Sequence, residues 1–366
     1  MSRTKKLVRQ PGVFFRDYFN SKYPVVNCEQ KVVESKEPSV IESGLALAEL
    51  EQQVWLKPFD IDVVFTWVDN RDQAWQQRYQ AHNNTQGEAA LYANDAARFT
   101  NHNELYYSLH SVRKYLPWVR NIYVVTDHQT PSWFSQEKYP NVHIVDHTDI
   151  IPIQYLPTFN SHVIEAHIHK ISGLSENFLY FNDDVFVARP LPREHFFHSN
   201  GIASIFVADK SLVAMQKKGI LTPTLSASQN SINLLQKHYH VGVDNPLVHT
   251  YMPLKRSVFE HAWQIYHDDI VAFLPNKLRT NEDLNMATFL VPWLMYLSQK
   301  SVPAHDVCYY FNIRSAHAKT QYRKLLQSQR GHTPPHSFCA NDFNSVQSDP
   351  NYHANLELLL KKYYKL

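Results

Sequence analysis

The sequence predicts an α/β fold built on a mainly parallel sheet, and three observations carry that expectation. Short apolar runs recur at Ile61–Val68, Asn121–Thr126, Val142–Val145 and Asn177–Val187. Runs that are apolar at nearly every position suit strands buried on both faces. Between them lie segments whose apolar positions repeat at helical spacing, the alternation of a Rossmann-like sheet. Each run also meets a carboxylate: Asp69, Asp127, Asp146 and the pair Asp183–Asp184. In open sheets of this kind ligands bind beyond the carboxyl ends of the strands.

Composition narrows the function classes. A chain of 366 residues holds one large domain or two smaller ones. It is 44% hydrophobic and 13% aromatic, as globular proteins are. Only 8 glycines are present, with no dinucleotide fingerprint and no Walker-type lysine loop. The net charge of +2 is not the strongly basic profile of a nucleic-acid binder. Cys28, Cys308 and Cys339 are far apart and odd in number, which points to a reducing compartment without structural zinc. No apolar run approaches the roughly 20 residues that span a bilayer, and no continuous apolar core follows the basic N-terminus. The expected location is cytoplasmic.

Residues 1–58 read as an N-terminal segment. Arg3, Lys5, Lys6, Arg9 and Arg16 alternate with Leu7, Val8, Phe14, Phe15, Tyr18 and Phe19. Such a stretch either lies on an anionic membrane surface or packs on the domain with its cations in water. A polar connector follows from Glu29, then a helix over Val40–Leu56 with Ser39 as N-cap. Residues 59–189 form the catalytic core. Asp72–Asn84 is expected to be helical, and Asn103 is the candidate N-cap of a helix running past Leu116. Ser161 is the candidate cap of a further helix, on which Glu165 and His169 fall one turn apart on one face. Residues 190–302 are a helical insertion or lobe covering the sheet, with no central strand besides Ile202–Val207; Leu278–Leu284 leads into an apolar helix reaching Leu297. Residues 303–366 complete the core with a short strand, Ser337–Asp342, and a terminal helix, Asn351–Leu366.

The chemistry concentrates at Asn182-Asp183-Asp184. Adjacent carboxylates at the end of a buried strand are costly unless compensated, and a hard divalent cation is the natural compensation. The alternative is a solvated turn. A helix delivering Glu165 toward the same strand end adds a third carboxylate.

Four blocks carry a family resemblance: Ile61-Asp-Val-Val-Phe-Thr-Trp-Val-Asp69; Arg98-Phe with Asn103-Glu104-Leu and Tyr107-Ser-Leu109; Leu156-Pro-Thr-Phe with Ile164-Glu165; and Tyr180-Phe-Asn-Asp183-Asp184. Together they resemble the Stealth family of sugar-1-phosphate transferases. His249 to Pro253, Arg279 to Leu284 and Cys339-Ala-Asn-Asp342 are similar to that family's later regions. Two positions depart from it: Asn70 stands where Gly is frequent, and Asn101 where an acid is.

The resemblance implies a glycosyltransferase-A-like version of the sheet and a definite reaction. A sugar hydroxyl attacks the donor sugar's phosphorus in a UDP-sugar, UMP leaves, and a phosphodiester forms. An N-acetylhexosamine-1-phosphate is the expected group. On this reading Glu165, Asp183 and Asp184 hold Mg²⁺ or Mn²⁺ on the diphosphate, and Arg98 and Arg279 clamp phosphate oxygens. His249 or Asp342 takes or orients the acceptor proton. Asp69 and Glu104 bind nucleotide or sugar, or support residues that do. The acceptor is a capsular polysaccharide, with peripheral contact to the inner membrane or export machinery and no nucleic-acid partner. Two other classes remain open at this point: a metal-dependent glycosyltransferase releasing UDP, and a non-catalytic glycan-binding protein.

Overall fold

The computed structural model describes residues 29–54, 59–83, 99–217, 222–342 and 349–366, with six positions of the N-terminal stretch (7, 8, 11, 14, 15 and 18). Ten strands follow in chain order. They are β1 (Ile61–Thr66), β2 (Ile122–Thr126), β3 (Val142–Asp146), β4 (Asn177–Asn182) and β5 (Val185–Val187). Then come β6 (Ala203–Ile205), β7 (Met252–Lys255), β8 (Ser301–Pro303), β9 (Cys308–Asn312) and β10 (Ser337–Asn341). The main sheet has the order β3-β2-β1-β4-β7. Its first four strands are parallel, and β7 joins β4 antiparallel. The α/β, mainly parallel architecture read from the sequence is the one observed.

β1 and β4 are buried at every position except their last, and β2 throughout. This explains why the runs lack polar alternation. β1 lies between β2 and β4, so the chain leaves it toward one side of the sheet and returns on the other. That arrangement opens a crevice beyond the ends of β1 and β4.

A second sheet, β5-β10-β9, stacks its own core of Phe186, Phe311, Phe338, Tyr363 and Tyr364 under the helices Glu37–Gln52, Ala318–Arg330 and Tyr352–Tyr364. Tyr363 Oη and Tyr364 Oη donate to the carbonyls of Ala188 and Val187 at 2.7 and 2.8 Å. Among the described residues no helix is long and apolar enough to cross a membrane.

Several local expectations are corrected. The helix after the connector starts at Glu37, because Pro38 fits the first helical turn, where its missing N–H costs nothing. Ser39 therefore lies inside it. Asn103 stands at its expected N-cap but makes no side-chain cap bond, since its backbone is left-handed (φ 67°). Asn160, not Ser161, caps the next helix, accepting from the His162 amide at 3.1 Å. That helix ends at Glu165, and His169 sits in a separate turn, Ile168–Lys170, so the two share no helix face. The helix expected to reach Leu297 begins only at Met286, as a π-helical turn over Met286–Leu290 that continues directly into the α-helix Val291–Leu297. β7, at the edge of the main sheet, is the strand that the texture of residues 190–302 concealed.

Asp62 breaks the apolar run of β1 and is fully buried. Arg120 grips it from Nε at 2.9 Å and Nη2 at 2.6 Å, and the amides of Asn121 and Ser175 donate to it at 3.1 and 2.7 Å. It ties the amino ends of three strands together, opposite the crevice. Asp62→Ala leaves those donors without an acceptor and should destabilise the fold by about 3 kcal/mol in urea unfolding. A loss below about 1 kcal/mol would show the pair to be incidental.

Candidate active site

The chain crosses from one sheet to the other through the two-residue turn Asp183–Asp184, between β4 and β5. β10 runs antiparallel to β5 with Cys339 opposite Val185, and the Ala340 amide donates to the Asp184 carbonyl at 2.9 Å. This pairing brings Asn341 Nδ2 and Cys339 Sγ to Asp184 Oδ2, at 3.2 and 3.3 Å. His249, in the loop before β7, places Nε2 3.8 Å from Asp184 Oδ1. That spacing is electrostatic contact rather than a hydrogen bond. Both atoms are buried with no hydrogen-bond partner. Glu104 opens the helix Glu104–Tyr115, and its Oε2 accepts from the His102 amide at 2.6 Å.

These acids sense one another. Burial, then the charge of Asp184, pushes Asp183 up to about 7. Burial and the charges of Asp183 and Asp184 hold Glu104 well above the usual carboxylate range. Asp184 goes the other way: burial opposes its ionisation, but His249, Cys339 and Asn341 outweigh that and keep it low. His249 is raised, because Asp184 and Glu29 overcome the burial that disfavours its charge.

Does this group suit a divalent cation? Asp184, His249 and Cys339 bring ligand atoms within 4.8 Å of one another. The Cys339 thiol is held far from ionisation by burial and by Asp184, so it stays a donor to that carboxylate. What remains for a cation is carboxylate oxygen, the donor that Mg²⁺ and Mn²⁺ prefer, with the His249 imidazole beside it. The orphaned Asp184 oxygen and the raised Asp183 carboxyl both mark ionisation that the described side chains do not fully compensate.

Neither Asp183 nor Glu165 is among the three side chains whose ligand atoms meet within 4.8 Å. Glu165 is buried beside Arg279 and the Tyr180 hydroxyl, whose ionisation burial and Glu165 together suppress. Tyr180 Oη also meets Thr66 Oγ1, across β4 and β1, at 3.0 Å. Arg279 donates from Nε to Ser161 Oγ at 3.0 Å and from Nη1 to Thr224 Oγ1 at 3.1 Å, with Nη2 also on Ser161 Oγ. Glu165 feels the charge of Arg279 and borders Tyr180 of β4, which precedes Asp183 by three positions.

The remaining candidates are already engaged. Asp342, just past β10, accepts from Arg314 Nε at Oδ1 and from Arg314 Nη2 at Oδ2 (2.9 Å); His102 Nε2 lies 3.0 Å from the same Oδ2. Asp69 is gripped by Arg71 Nε and Nη2 at 2.9 and 2.6 Å and by Asn101 Nδ2 at 2.9 Å. Gln129 fixes the Asp69 peptide at both ends, accepting from its N–H at 2.9 Å and donating to its carbonyl at 2.8 Å. Arg98 lies outside the described residues.

Sequence reasoning did not select Arg71, Gln129, His102 or Arg314. No local pattern marks the last three, whereas Arg71 follows Asp69 by two positions and was within reach. Cys339 and Asn341 were flagged only as flanks of Asp342.

The family model described as Stealth protein CR2, conserved region 2, matches residues 98–205. The capsular polysaccharide phosphotransferase LcbA of Neisseria meningitidis is 64% identical over 100% of both chains. The capsular polysaccharide phosphotransferase cps12A of Actinobacillus pleuropneumoniae is 56% identical over 98% of this chain and 97% of its own. Two solved structures are distant likenesses. The bifunctional glycosyltransferase WbbM has 12% identity and a TM-score of 0.39, over 85% of this chain and 52% of its own. The galactosyltransferase LgtC, in complex with donor and acceptor sugar analogs, has 10% identity and a TM-score of 0.37, over 81% and 95%.

The protein is thus a transferase enzyme. The chain belongs to the Stealth family, among its capsular polysaccharide phosphotransferases.

The raised Asp183 carboxyl gives a signed test. Between the ordinary carboxylate value of about 3.9 and about 7, the unfolded chain loses this proton while the folded chain keeps it. Metal-free stability should therefore fall as pH rises through that window. Added Mn²⁺ should raise Tm more at pH 8 than at pH 5, and Asp183→Asn should flatten the pH dependence. An equal shift at both pH values, or none, would remove the cation from this group.

Proposed function

We propose that the enzyme moves a hexose-1-phosphate, in the expected case an N-acetylhexosamine-1-phosphate, from a UDP-sugar to a hydroxyl of a capsular polysaccharide. The acceptor oxygen bonds to the phosphorus attached to the donor sugar. The bond from that phosphorus to the bridging oxygen breaks, UMP leaves with that oxygen, and a phosphodiester joins the two sugars. The observation that carries this reading is the pair of unpartnered atoms, Asp184 Oδ1 and His249 Nε2, beside Asp183 at the end of β4.

Each residue has an assigned part. Asp183 and Asp184 would hold Mg²⁺ or Mn²⁺, which supplies neutralisation of diphosphate charge. His249 takes the proton from the acceptor hydroxyl. Asp342 is less suited to that task, because its oxygens accept from Arg314 and face His102. Arg279, steadied by Ser161, Thr224 and Glu165, presents N–H donors to phosphate oxygens in the style of arginine clamps. Glu104 shapes the field around the acid pair, and Asp69 with Arg71 and Gln129 sets the loop after β1 where the nucleotide docks. Positioning and charge relief supply the acceleration, since such transfer asks little covalent work of the protein.

Product analysis decides the reaction. Incubation with candidate UDP-sugars and acceptor should release UMP and give an acid-labile phosphodiester, and EDTA should stop turnover. Release of UDP instead would make the enzyme an ordinary glycosyltransferase. Asp183→Asn should lower turnover by roughly 10²-fold or more; unaltered function would favour a glycan-binding role. A second expectation concerns location, peripheral contact with the inner face of the membrane through the basic, aromatic N-terminus. Removing residues 2–20 should shift the protein from membrane to soluble fractions while sparing turnover, and unchanged partitioning would dismiss the contact.

A further inference from the structure

Residues 29 and 30 belong to a stretch that reads as a polar connector, yet both are buried. Glu29 is 8% exposed and Gln30 7%. Glu29 Oε2 accepts from the His249 amide at 2.6 Å, and its Oε1 meets Lys210 Nζ at 2.7 Å. Its carbonyl accepts from the Asp209 amide at 2.6 Å. Gln30 completes the docking. Its Nε2 donates to the carbonyls of Val207 and Ala304 at 3.2 and 3.3 Å, and its Oε1 accepts from the Asp306 amide at 3.0 Å. Every one of these bonds to a side chain spans more than 170 residues of sequence.

The recipient needs such a hold. Apart from a single bridge at Leu247, the stretch 241–251 has no regular structure. The position of His249 therefore depends on what grips its peptide. Cys308 Sγ reaches its carbonyl at 3.5 Å, and Thr250 Oγ1 is 2.7 Å from Ser337 Oγ on β10. On the amide side the grip is Glu29.

We propose that Glu29 is a positioning residue for His249, fixing the peptide so that the imidazole stands over Asp184. The inference rests on His249 acting in transfer, as proposed above. A carboxylate is required. Both Glu29 oxygens face donors, so an amide at this position points its own NH₂ at either His249 N–H or Lys210 in each orientation.

Steady-state kinetics of Glu29→Gln, Lys210→Met and His249→Ala, alone and with Glu29→Gln combined with His249→Ala, test the point. Glu29→Gln should lower kcat ~10-fold with donor KM within ~2-fold and Tm little changed. Lys210→Met, which frees one carboxylate oxygen at a partly exposed partner, should lower kcat ~3-fold and keeps the test intact if the first variant folds poorly. The double variant should be no slower than His249→Ala. Wild-type kcat in either Glu29→Gln or Lys210→Met overturns the inference, as does a loss that merely follows the folded fraction. Normal turnover by His249→Ala would instead overturn the role of His249 itself, which separates the two failures.

Discussion

Two adjacent carboxylates occupy the two-residue turn that carries the chain from its main sheet to its second one. No described arginine or lysine neutralises them. Asp184 is instead met piecemeal, by hydrogen bonds from Asn341 and the Cys339 thiol and by the nearby imidazole of His249, while burial and the charge of Asp184 push Asp183 up to about 7. Buried charge without a matched partner costs several kcal/mol in ordinary proteins. The rest of the molecule is arranged around tolerating it. β10 is paired to β5 in the register that supplies two of the donors, and the loop before β7 brings the third.

Elsewhere the same chain handles carboxylates conventionally. Asp62 has Arg120 and two backbone amides, and Asp342 has Arg314 and His102. The contrast separates acids that hold the fold from acids held in reserve for a ligand. An active site commonly carries such local cost, and stability gained by relieving it is lost as function.

The two sheets also divide the labour. The parallel sheet presents the ends of β1 and β4 at a point where strand order reverses, which is the geometric condition for a ligand crevice. The smaller sheet brings residues from the last third of the chain to that same edge. Glu29 and Gln30 add the first described stretch, so chain segments from both ends converge on one loop.

Much of this was legible beforehand. The apolar runs gave the strands, because burial on both faces leaves no room for polar alternation. The Asp183–Asp184 pair stood out because charge inside such a run needs a reason, and the blocks around it carried the family. Element boundaries fared less well. Pro38 and Asn160 shifted helix ends by local backbone chemistry, and β7 was missed because a short edge strand of Met-Pro-Leu-Lys has no distinctive period. Sequence alone therefore determined the fold class, the family and the acid pair, since burial pattern and composition are local properties. Tertiary structure alone decided which acids share a site. Asn341 and Cys339 went to Asp184, and Glu29 to the His249 peptide, because partners more than 150 residues apart are chosen by how sheets and loops pack, which no window of sequence encodes.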